Sequence, residues 1–210
     1  MTKDSGQRRT PQVVLTDAEI LRRGLDAFAE LGYRGASVRE LAKRLGVSHN
    51  FFNERFGSKE EFWRAVVDAA GLEPSTELAA TLSVDMDDAE KFGAVVRTFY
   101  ANAGRAPQLN QIVAEESALD SERLDHLYAA LMAPFLAQVE PLAQRLMSAG
   151  RMPVIPLDIL FSALTGPALV LTQEQLARRL GRAPHLTPTE WDARTRSLAD
   201  VVLHGLLPTT

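Results

Sequence analysis

A short run from Ser48 to Asn53 contains side chains of the kinds that read DNA. An asparagine amide can pair with an adenine edge, serine and histidine can bond bases or phosphates, and a phenylalanine ring can contact a thymine methyl. The candidates are Ser48, His49, Asn50, Phe51 and Asn53. On a short helix that buries Phe52 and Phe56, four residues apart, these candidates fall on the exposed side or its edge. The structural alternatives are that Ser48 is only an N-cap and that Phe51 is a core residue.

The preceding residues describe the rest of a helix-turn-helix, the motif that places its second helix in the major groove of DNA. Its first helix begins at Ser37, where Glu40 completes a capping box. Gly46 permits the positive φ that a sharp turn between helices often needs. The sequence therefore predicts a DNA-binding motif over residues 37–56, with Ser37 also among the DNA-binding candidates.

Two further helices flank this motif. A capping box at Thr16 begins the first helix, and Gly32 is expected to end it. Another capping box at Ser58 opens a helix that is expected to run to about Gly71. Lys59, at its start, can reach a phosphate that the helix dipole also favours.

The sequence divides into three parts. Residues 1–13 are polar and are expected to form a flexible arm, residues 14–71 a DNA-binding domain, and residues 72–210 a second helical domain. A polar connection from Glu73 to Asp87, which contains Pro74, is expected between the two domains.

Charge is distributed unevenly along the chain. Residues 1–59 have 11 lysine and arginine residues and 7 acidic residues, whereas residues 60–210 have 12 and 20. A basic N-terminal unit on an acidic body can present its positive face to phosphate, although an ordinary mixed surface gives the same counts.

The stretch from about Leu15 to Ala70 resembles the DNA-binding domain of TetR-family transcriptional regulators. The matching pieces are, in chain order, Phe28-Ala29-Glu30-Leu31-Gly32-Tyr33, Ser37-Val38-Arg39-Glu40-Leu41-Ala42, Leu45-Gly46-Val47-Ser48 and Phe56-Gly57-Ser58-Lys59, followed by Glu61-Phe62. Many family members have a tyrosine in place of Asn53 and a histidine or tyrosine in place of Arg55, and those residues usually hold phosphates. The resemblance therefore implies phosphate contacts by Asn53 and Arg55.

Residues 72–210 have the apolar spacing of about five more helices, so the sequence predicts an all-α fold of about nine helices. Pro134 and Pro141 lie inside the longest segment, where we expect a kink or a break. Gly166-Pro167 is expected to bend one helix, with two helices as the alternative. The resemblance implies that the last two helical segments form a homodimer interface. A short reading helix also buries little surface, and two-fold dimers read palindromic half-sites.

The second domain could hold a small-molecule pocket, since sites between helices are mostly apolar with a few polar groups. The candidate lining residues are Phe92, Val96, Phe99, Tyr100, Ile112, Glu116, His126, Tyr128, Met132, Phe135, Phe161 and Leu164. Glu116 and His126 distinguish best between a ligand pocket and an ordinary core, because they are polar side chains on or beside apolar stripes. The alternatives are that most of the set is core and that Glu116 only pairs with Arg123.

Several classes of site have no support in the sequence. There is no cysteine, which excludes disulfides and thiolate metal sites. The four histidines lack metal-binding spacing, there is no glycine-rich phosphate loop, and no catalytic residue, metal or cofactor is expected. No apolar run reaches the roughly 18 residues that span a bilayer, and the N-terminus lacks the apolar core of a signal peptide, so a cytoplasmic protein is expected.

Together these features predict a ligand-responsive transcriptional repressor. It would bind double-stranded DNA at a palindromic operator as a homodimer and be released by an unknown small-molecule effector. The alternative is a helical enzyme or small-molecule-binding protein whose N-terminal helix-turn-helix is only structural.

Overall fold

The computed structural model describes residues 15–207, in which every regular element is helical. The helices are α1 (Asp17–Gly35), α2 (Val38–Leu45), α3 (His49–Phe56), α4 (Lys59–Ser83), α5 (Asp88–Arg105), α6 (Pro107–Glu116), α7 (Glu122–Leu127), α8 (Ala133–Ser148), α9 (Leu157–Thr172), α10 (Glu174–Arg179) and α11 (Pro188–Leu206), with a π-helical turn at Tyr128–Met132. The predicted all-α fold is confirmed. There are more helices than expected because two predicted segments are subdivided, one into α7, the π turn and α8, and one into α9 and α10. The arm expected at residues 1–13 lies outside the described residues.

An aromatic cluster around Phe62 holds the N-terminal helices together. The centroid of the Phe62 ring lies 5.0 Å from that of Phe52, 4.6 Å from that of Phe56 and 5.8 Å from that of Phe28. Gly24 permits this approach of α1 to α4, because a Cβ there would lie 2.6 Å from Phe62 Cζ. The cluster therefore anchors α3, the helix with the DNA-reading candidates, onto α4.

The three predicted capping residues, Thr16, Ser37 and Ser58, all begin helices, and Thr187 likewise caps α11. The hydroxyls of Thr16, Ser37, Ser58 and Thr187 each accept a hydrogen bond from the N–H three residues later. The glutamate returns the bond only at Ser58 and Thr187. The reciprocal bonds expected at Thr16 and Ser37 are wrong, because their glutamates pair instead with arginines one turn later on the same helix.

Gly32 interrupts α1 where the sequence predicts its end. Its φ of 65° and ψ of 159° are not helical, and a separate turn continues to Gly35. Glycine adopts such a positive φ at little cost because it has no Cβ. The chain therefore changes direction immediately before Tyr33, which becomes a contact point for later helices.

Helix α4 extends to Ser83, well past the end expected at Gly71. The polar connection predicted from Glu73 to Asp87 is therefore wrong over most of its length. Pro74 lies inside the helix, where it removes one N–H donor, and the buried Leu78 beyond it packs into the second core. Helix α4 thus belongs to both halves of the chain.

The second hydrophobic core is centred on α5, which packs against α4, α8, α9 and α11. Phe92, Val96 and Tyr100 of α5 and Leu164 of α9 are all buried in it. These four side chains, which the sequence places among the pocket candidates, serve as packing between helices.

The kink expected at Pro134 is a π-helical turn within a continuous helical segment. Pro134 has no N–H to donate to the carbonyl one turn earlier. The preceding residue, Ala133, donates its N–H to Tyr128 O, five residues back, which is the spacing of a π-helix. Tyr128, a predicted pocket residue at the start of this turn, is 53% exposed, so its place in the pocket is wrong. Helices α8 and α9 run through Pro141 and Pro167 without ending.

The Tyr100 hydroxyl is buried and has no hydrogen-bond partner among the described residues, and burial raises the pKa of this phenol to about 12. We expect Tyr100→Phe to raise the free energy of unfolding by about 1 kcal/mol, because it removes an unpaired buried polar group. Urea denaturation measures the change. Tyr128→Phe alters an exposed ring and, as the control, should stay within about 0.5 kcal/mol of the parent. A loss of stability in Tyr100→Phe would contradict the prediction.

Candidate nucleic-acid interface and effector cavity

Helix α3 is fixed at its start by a cap and a tight turn. Ser48 Oγ accepts a hydrogen bond of 3.1 Å from the Phe51 N–H. Gly46, with a φ of 73°, closes α2 and donates its N–H to the carbonyls of Ala42 and Lys43. The small, buried Ala42 leaves room beside this turn. These contacts give α2 and α3 the layout of a helix-turn-helix.

The DNA-reading candidates lie on the exposed side of α3. Ser48, His49, Asn50 and Asn53 are exposed and Phe51 is 40% exposed, whereas Phe52 is fully buried. The N-cap role of Ser48 is confirmed, and the alternative that Phe51 is a core residue is wrong. The exposed side of α3 therefore presents one aromatic ring among short polar groups.

His49 and Asn53, one turn apart, are joined by a hydrogen bond of 3.1 Å between Asn53 Nδ2 and His49 Nδ1. An amide nitrogen can only donate, so the imidazole Nδ1 accepts and Nε2 keeps the ring proton. This pairing leaves the Asn53 amide oxygen as an acceptor and His49 Nε2–H as a donor, both fixed on the exposed side of α3.

Two of the predicted DNA-binding candidates already have protein partners. The Arg55 guanidinium pairs with the Asp17 carboxylate at the start of α1, and both side chains are exposed. Ser37 Oγ accepts a bond of 3.1 Å from the Glu40 N–H as the N-cap of α2, and Ser37 is exposed. Arg55 would have to exchange its carboxylate partner for a phosphate.

We expect Asp17→Asn to tighten DNA binding about two- to fivefold at low salt, because it removes a negative charge that competes with phosphate for Arg55. Fluorescence anisotropy with labelled duplex DNA measures the change. The same substitution in an Arg55→Ala background is the control and should give no gain. If Asp17→Asn alone, with Arg55 intact, left the affinity for DNA unchanged, the prediction would be contradicted.

Lys59 faces the protein more than the sequence predicts. Its Nζ donates to Tyr33 O at 3.0 Å and lies 4.1 Å from the centroid of the Tyr33 ring. Burial lowers the pKa of this ammonium, and the nearby Arg123 guanidinium lowers it further. Lys59 therefore joins the start of α4 to the end of α1.

Sequence reasoning did not select two exposed cations on α2. Arg39 and Lys43 are one turn apart and so share a side of the helix, and neither forms a salt bridge within residues 15–207. Arg44, the next basic residue, is by contrast engaged by Glu30 and Glu40. The missed signal is the four-residue spacing of Arg39 and Lys43 immediately before α3.

A buried ion pair reaches the N-terminal unit from the later helices. Arg123 Nε donates to Glu116 Oε2 at 2.9 Å, and the two side chains are only 17% and 7% exposed. The Arg123 guanidinium carbon lies 4.1 Å from the centroid of the Tyr33 ring, which Lys59 also contacts. The predicted pairing of Glu116 with Arg123 is confirmed, and Glu116 does not line the cavity described below.

Helix α6 and the π-turn region add further contacts with the N-terminal unit. Gln111 Nε2 donates to Ala29 O at 2.6 Å, and the buried Ile112 belongs to the N-terminal core. His126 Nε2 lies 2.9 Å from Asp68 Oδ1, and its ring lies 5.9 Å from that of Trp63. Ile112 and His126 therefore connect the two halves of the chain.

A cavity of about 170 Å³ lies between α4, α5, α6, the π-turn region, α8 and α9. Its lining is mainly apolar, with serine, threonine and carboxamide side chains as the polar part. The lining residues are Gly71, Pro74, Ser75, Leu78, Phe99, Asn102, Ala103, Ala106, Leu109, Asn110, Val113, Ser117, Leu131, Met132, Phe135, Gln138, Phe161, Thr165 and Leu169. None of these described residues is charged.

Of the twelve pocket candidates, four line the cavity: Phe99, Met132, Phe135 and Phe161. Five of the other candidates are buried in the two cores, namely Phe92, Val96, Tyr100, Leu164 and Ile112. Two more, Glu116 and His126, lie at the contacts with the N-terminal unit. The last, Tyr128, is exposed.

The polar lining residues were missed because amides on apolar stripes give a weak signal. Asn102 follows Phe99 by one turn on α5, and its Oδ1 accepts from Arg105 Nη2 at 2.6 Å. Asn110 donates from Nδ2 to Ala103 O at 3.1 Å. In a continuous helix this carbonyl would accept from the N–H four residues later, but Pro107 at that position has no N–H. The Asn110 side chain supplies a donor in its place.

Large apolar side chains are exposed along the last helices. They are Leu157, Ile159 and Val170 of α9, Leu176 of α10, Leu180 and Val201, with exposures from 38% to 76%. Exposed apolar patches of this kind mark interaction surfaces.

The described residues contain neither a candidate metal site nor a membrane-spanning helix. No group of three histidine, aspartate or glutamate side chains in residues 15–207 could hold a metal ion. No helix in the same range has the length and hydropathy to cross a membrane.

The chain resembles bacterial regulators in sequence and in fold. Residues 20–66 match the family model of bacterial regulatory proteins of the tetR family. A search of curated proteins found no match. Solved structures with a similar fold include a Clostridium perfringens protein described as a candidate fatty acid metabolism regulator, with 17% identity, a TM-score of 0.73 and coverage of 91% of this chain and 100% of that one.

Two other solved structures are similar over nearly their whole length. The transcriptional regulator FadR from Bacillus subtilis, in complex with stearoyl-CoA, has 14% identity, a TM-score of 0.67 and coverage of 90% of this chain and 98% of that one. HlyIIR, a hemolysin II transcriptional regulator, has 18% identity, a TM-score of 0.65 and coverage of 91% and 96%. The sequence match to the tetR family model thus covers part of α1 to α4, and the solved structures show that the fold is shared over nearly the whole chain.

Proposed function

We propose that the protein is a cytoplasmic, homodimeric repressor that binds a palindromic operator and is released by a small-molecule effector. Residues up to about 71 would bind DNA, and the later helices would bind the effector and form the dimer. The observation that carries the proposal is the exposed polar side of α3, whose buried side is locked by Phe52.

In the proposed complex α3 lies in the major groove. His49, Asn50 and Phe51 would contact base edges. Phosphates would be held by Ser37, Ser48, Asn53, Arg55 and Lys59 together with Arg39 and Lys43. Lys59 retains two unused donors beside its bond to Tyr33 O, so a phosphate contact is compatible with its position.

The exposed apolar residues of α9 to α11 support the homodimer. A second copy packed on them would remove this surface from water and would set two α3 helices at a fixed separation. The matching operator has two half-sites about 34–36 Å apart.

The position of α6 supports an effector response. Val113 of α6 lines the cavity, whereas Gln111 and Ile112 of the same helix contact the N-terminal unit. An effector that fits one position of α6 better than another would shift the population between DNA-binding and released forms. The size of that shift equals its differential affinity for the two forms.

Selection of duplexes from a genomic library, followed by anisotropy titration, tests the proposal. We expect a two-fold symmetric site and an affinity that falls steeply with salt. Asn50→Ala should weaken specific binding about tenfold or more by removing a base contact, and Gln144→Ala, which removes an exposed amide from α8, is the matched control. Enrichment of no symmetric sequence would contradict the proposal.

A further inference from the structure

The chemistry of the cavity points to a class of effector. We propose that it accepts a small, uncharged, mostly apolar molecule of about one ring that carries a hydrogen-bond donor such as a hydroxyl group. This inference rests on the proposed effector role of the cavity, and it specifies the ligand.

The volume limits the size of the ligand. The cavity measures about 170 Å³, and an engineered apolar cavity of about 150 Å³ in another protein accommodates benzene. A single ring with a short substituent therefore fills this volume.

The lining limits the charge of the ligand. The rings of Phe99, Phe135 and Phe161 form much of the wall, and no charged side chain is among the described residues that line it. Arg105, which bonds to the lining residue Asn102 through its Oδ1, is also engaged by the Glu77 carboxylate. A carboxylate or ammonium group placed against this lining would lose hydration without gaining a partner of opposite charge, which disfavours its binding.

Two carboxamides of the lining have oxygens that can accept hydrogen bonds. Asn110 Nδ2 donates to Ala103 O, and Gln138 Nε2 donates to Pro134 O. Because a backbone carbonyl only accepts, both amides are oriented with nitrogen toward the protein, and their oxygens remain as acceptors. Within residues 15–207 no protein donor occupies either oxygen. A ligand hydroxyl would supply the donor.

A matched set of probes tests the proposal with the full-length protein. Benzyl alcohol, ethylbenzene and benzyl methyl ether are uncharged, whereas benzoate and benzylammonium carry opposite charges. Isothermal titration and thermal shift measure binding. We expect benzyl alcohol to bind about two- to tenfold more tightly than ethylbenzene or the ether, which lack the donor. Both ions should bind more than about a hundredfold more weakly than benzyl alcohol.

Two phenylalanine substitutions locate the binding. Thr165→Phe places a ring in the cavity and should abolish binding of benzyl alcohol and ethylbenzene. Ala137→Phe adds the same ring at an exposed position of α8 that does not line the cavity, and it should leave binding unchanged.

Three results would overturn the proposal: no binding of any neutral probe, binding of either ion as tight as that of benzyl alcohol, or unchanged binding in Thr165→Phe. An ether that binds as tightly as the alcohol would overturn the donor preference. The operator assay separates this inference from the proposed function. Probe binding without release of DNA contradicts the effector role and leaves the ligand class standing.

Discussion

Phe52→Ala is expected to destabilise the protein by about 3–5 kcal/mol, because it leaves a large cavity in a fully buried aromatic cluster. The Phe52 ring is 0% exposed and lies 5.0 Å from Phe62 and 5.7 Å from Phe56 between ring centroids. A typical domain has only about 5–15 kcal/mol of total stability, so α3 should lose its fixed position and DNA binding should disappear. Urea denaturation followed by circular dichroism, and anisotropy with the selected operator, measure the two effects.

The neighbouring residue provides a matched control for this prediction. Phe51 has the same side chain on the same helix but is 40% exposed. Phe51→Ala should change the free energy of unfolding by less than about 1 kcal/mol, while the loss of its proposed thymine contact weakens DNA binding. Equal stability losses for the two variants would contradict the assignment of the buried and exposed sides of α3.

Arg123→Met is expected to reduce stability by about 3–5 kcal/mol, because it leaves the buried Glu116 carboxylate without its partner. Arg123 and Glu116 are joined at 2.9 Å, and their side chains are largely buried between the two halves of the chain. The substitution also removes the guanidinium that lies over the Tyr33 ring. Urea denaturation of the single variants and of the double variant Glu116→Met/Arg123→Met measures the coupling energy.

The double variant should recover most of the loss, because two apolar side chains of similar volume need no charged partner. Arg97→Met is the control, since the pair of Arg97 with Asp200 at 3.2 Å is about half exposed on both sides. Its effect should stay within about 1 kcal/mol. A small, additive loss for Arg123→Met would show that the buried pair contributes little to the junction.

Much of the N-terminal half could be predicted from the sequence because its signals are local. A hydroxyl at Ser48 or Ser58 caps the helix that follows it, and Gly46 permits a backbone angle that other residues avoid. The four-residue spacing of Phe52 and Phe56 indicates which side of α3 is buried. Each of these features depends on interactions within about one helical turn.

Local patterns were not sufficient where a distant side chain competes for the same group. Lys59 was predicted to face a phosphate, yet its ammonium bonds to Tyr33 O, because the break at Gly32 brings that carbonyl to the start of α4. Similarly, α4 continues beyond Gly71 because residues such as Leu78 find a second core to enter.

The sequence by itself determined the all-α fold, the helix-turn-helix with its caps and the exposed side of α3, since these follow from hydrogen bonds and spacing within single helices. Only the tertiary structure decided which apolar side chains form a cavity. Phe92 and Phe99 lie on the same stripe of α5, yet Phe92 is buried in the core and Phe99 lines the cavity. Both residues have the same place in the helical repeat. Their surroundings differ because different helices pack against α5 at the two positions along its axis.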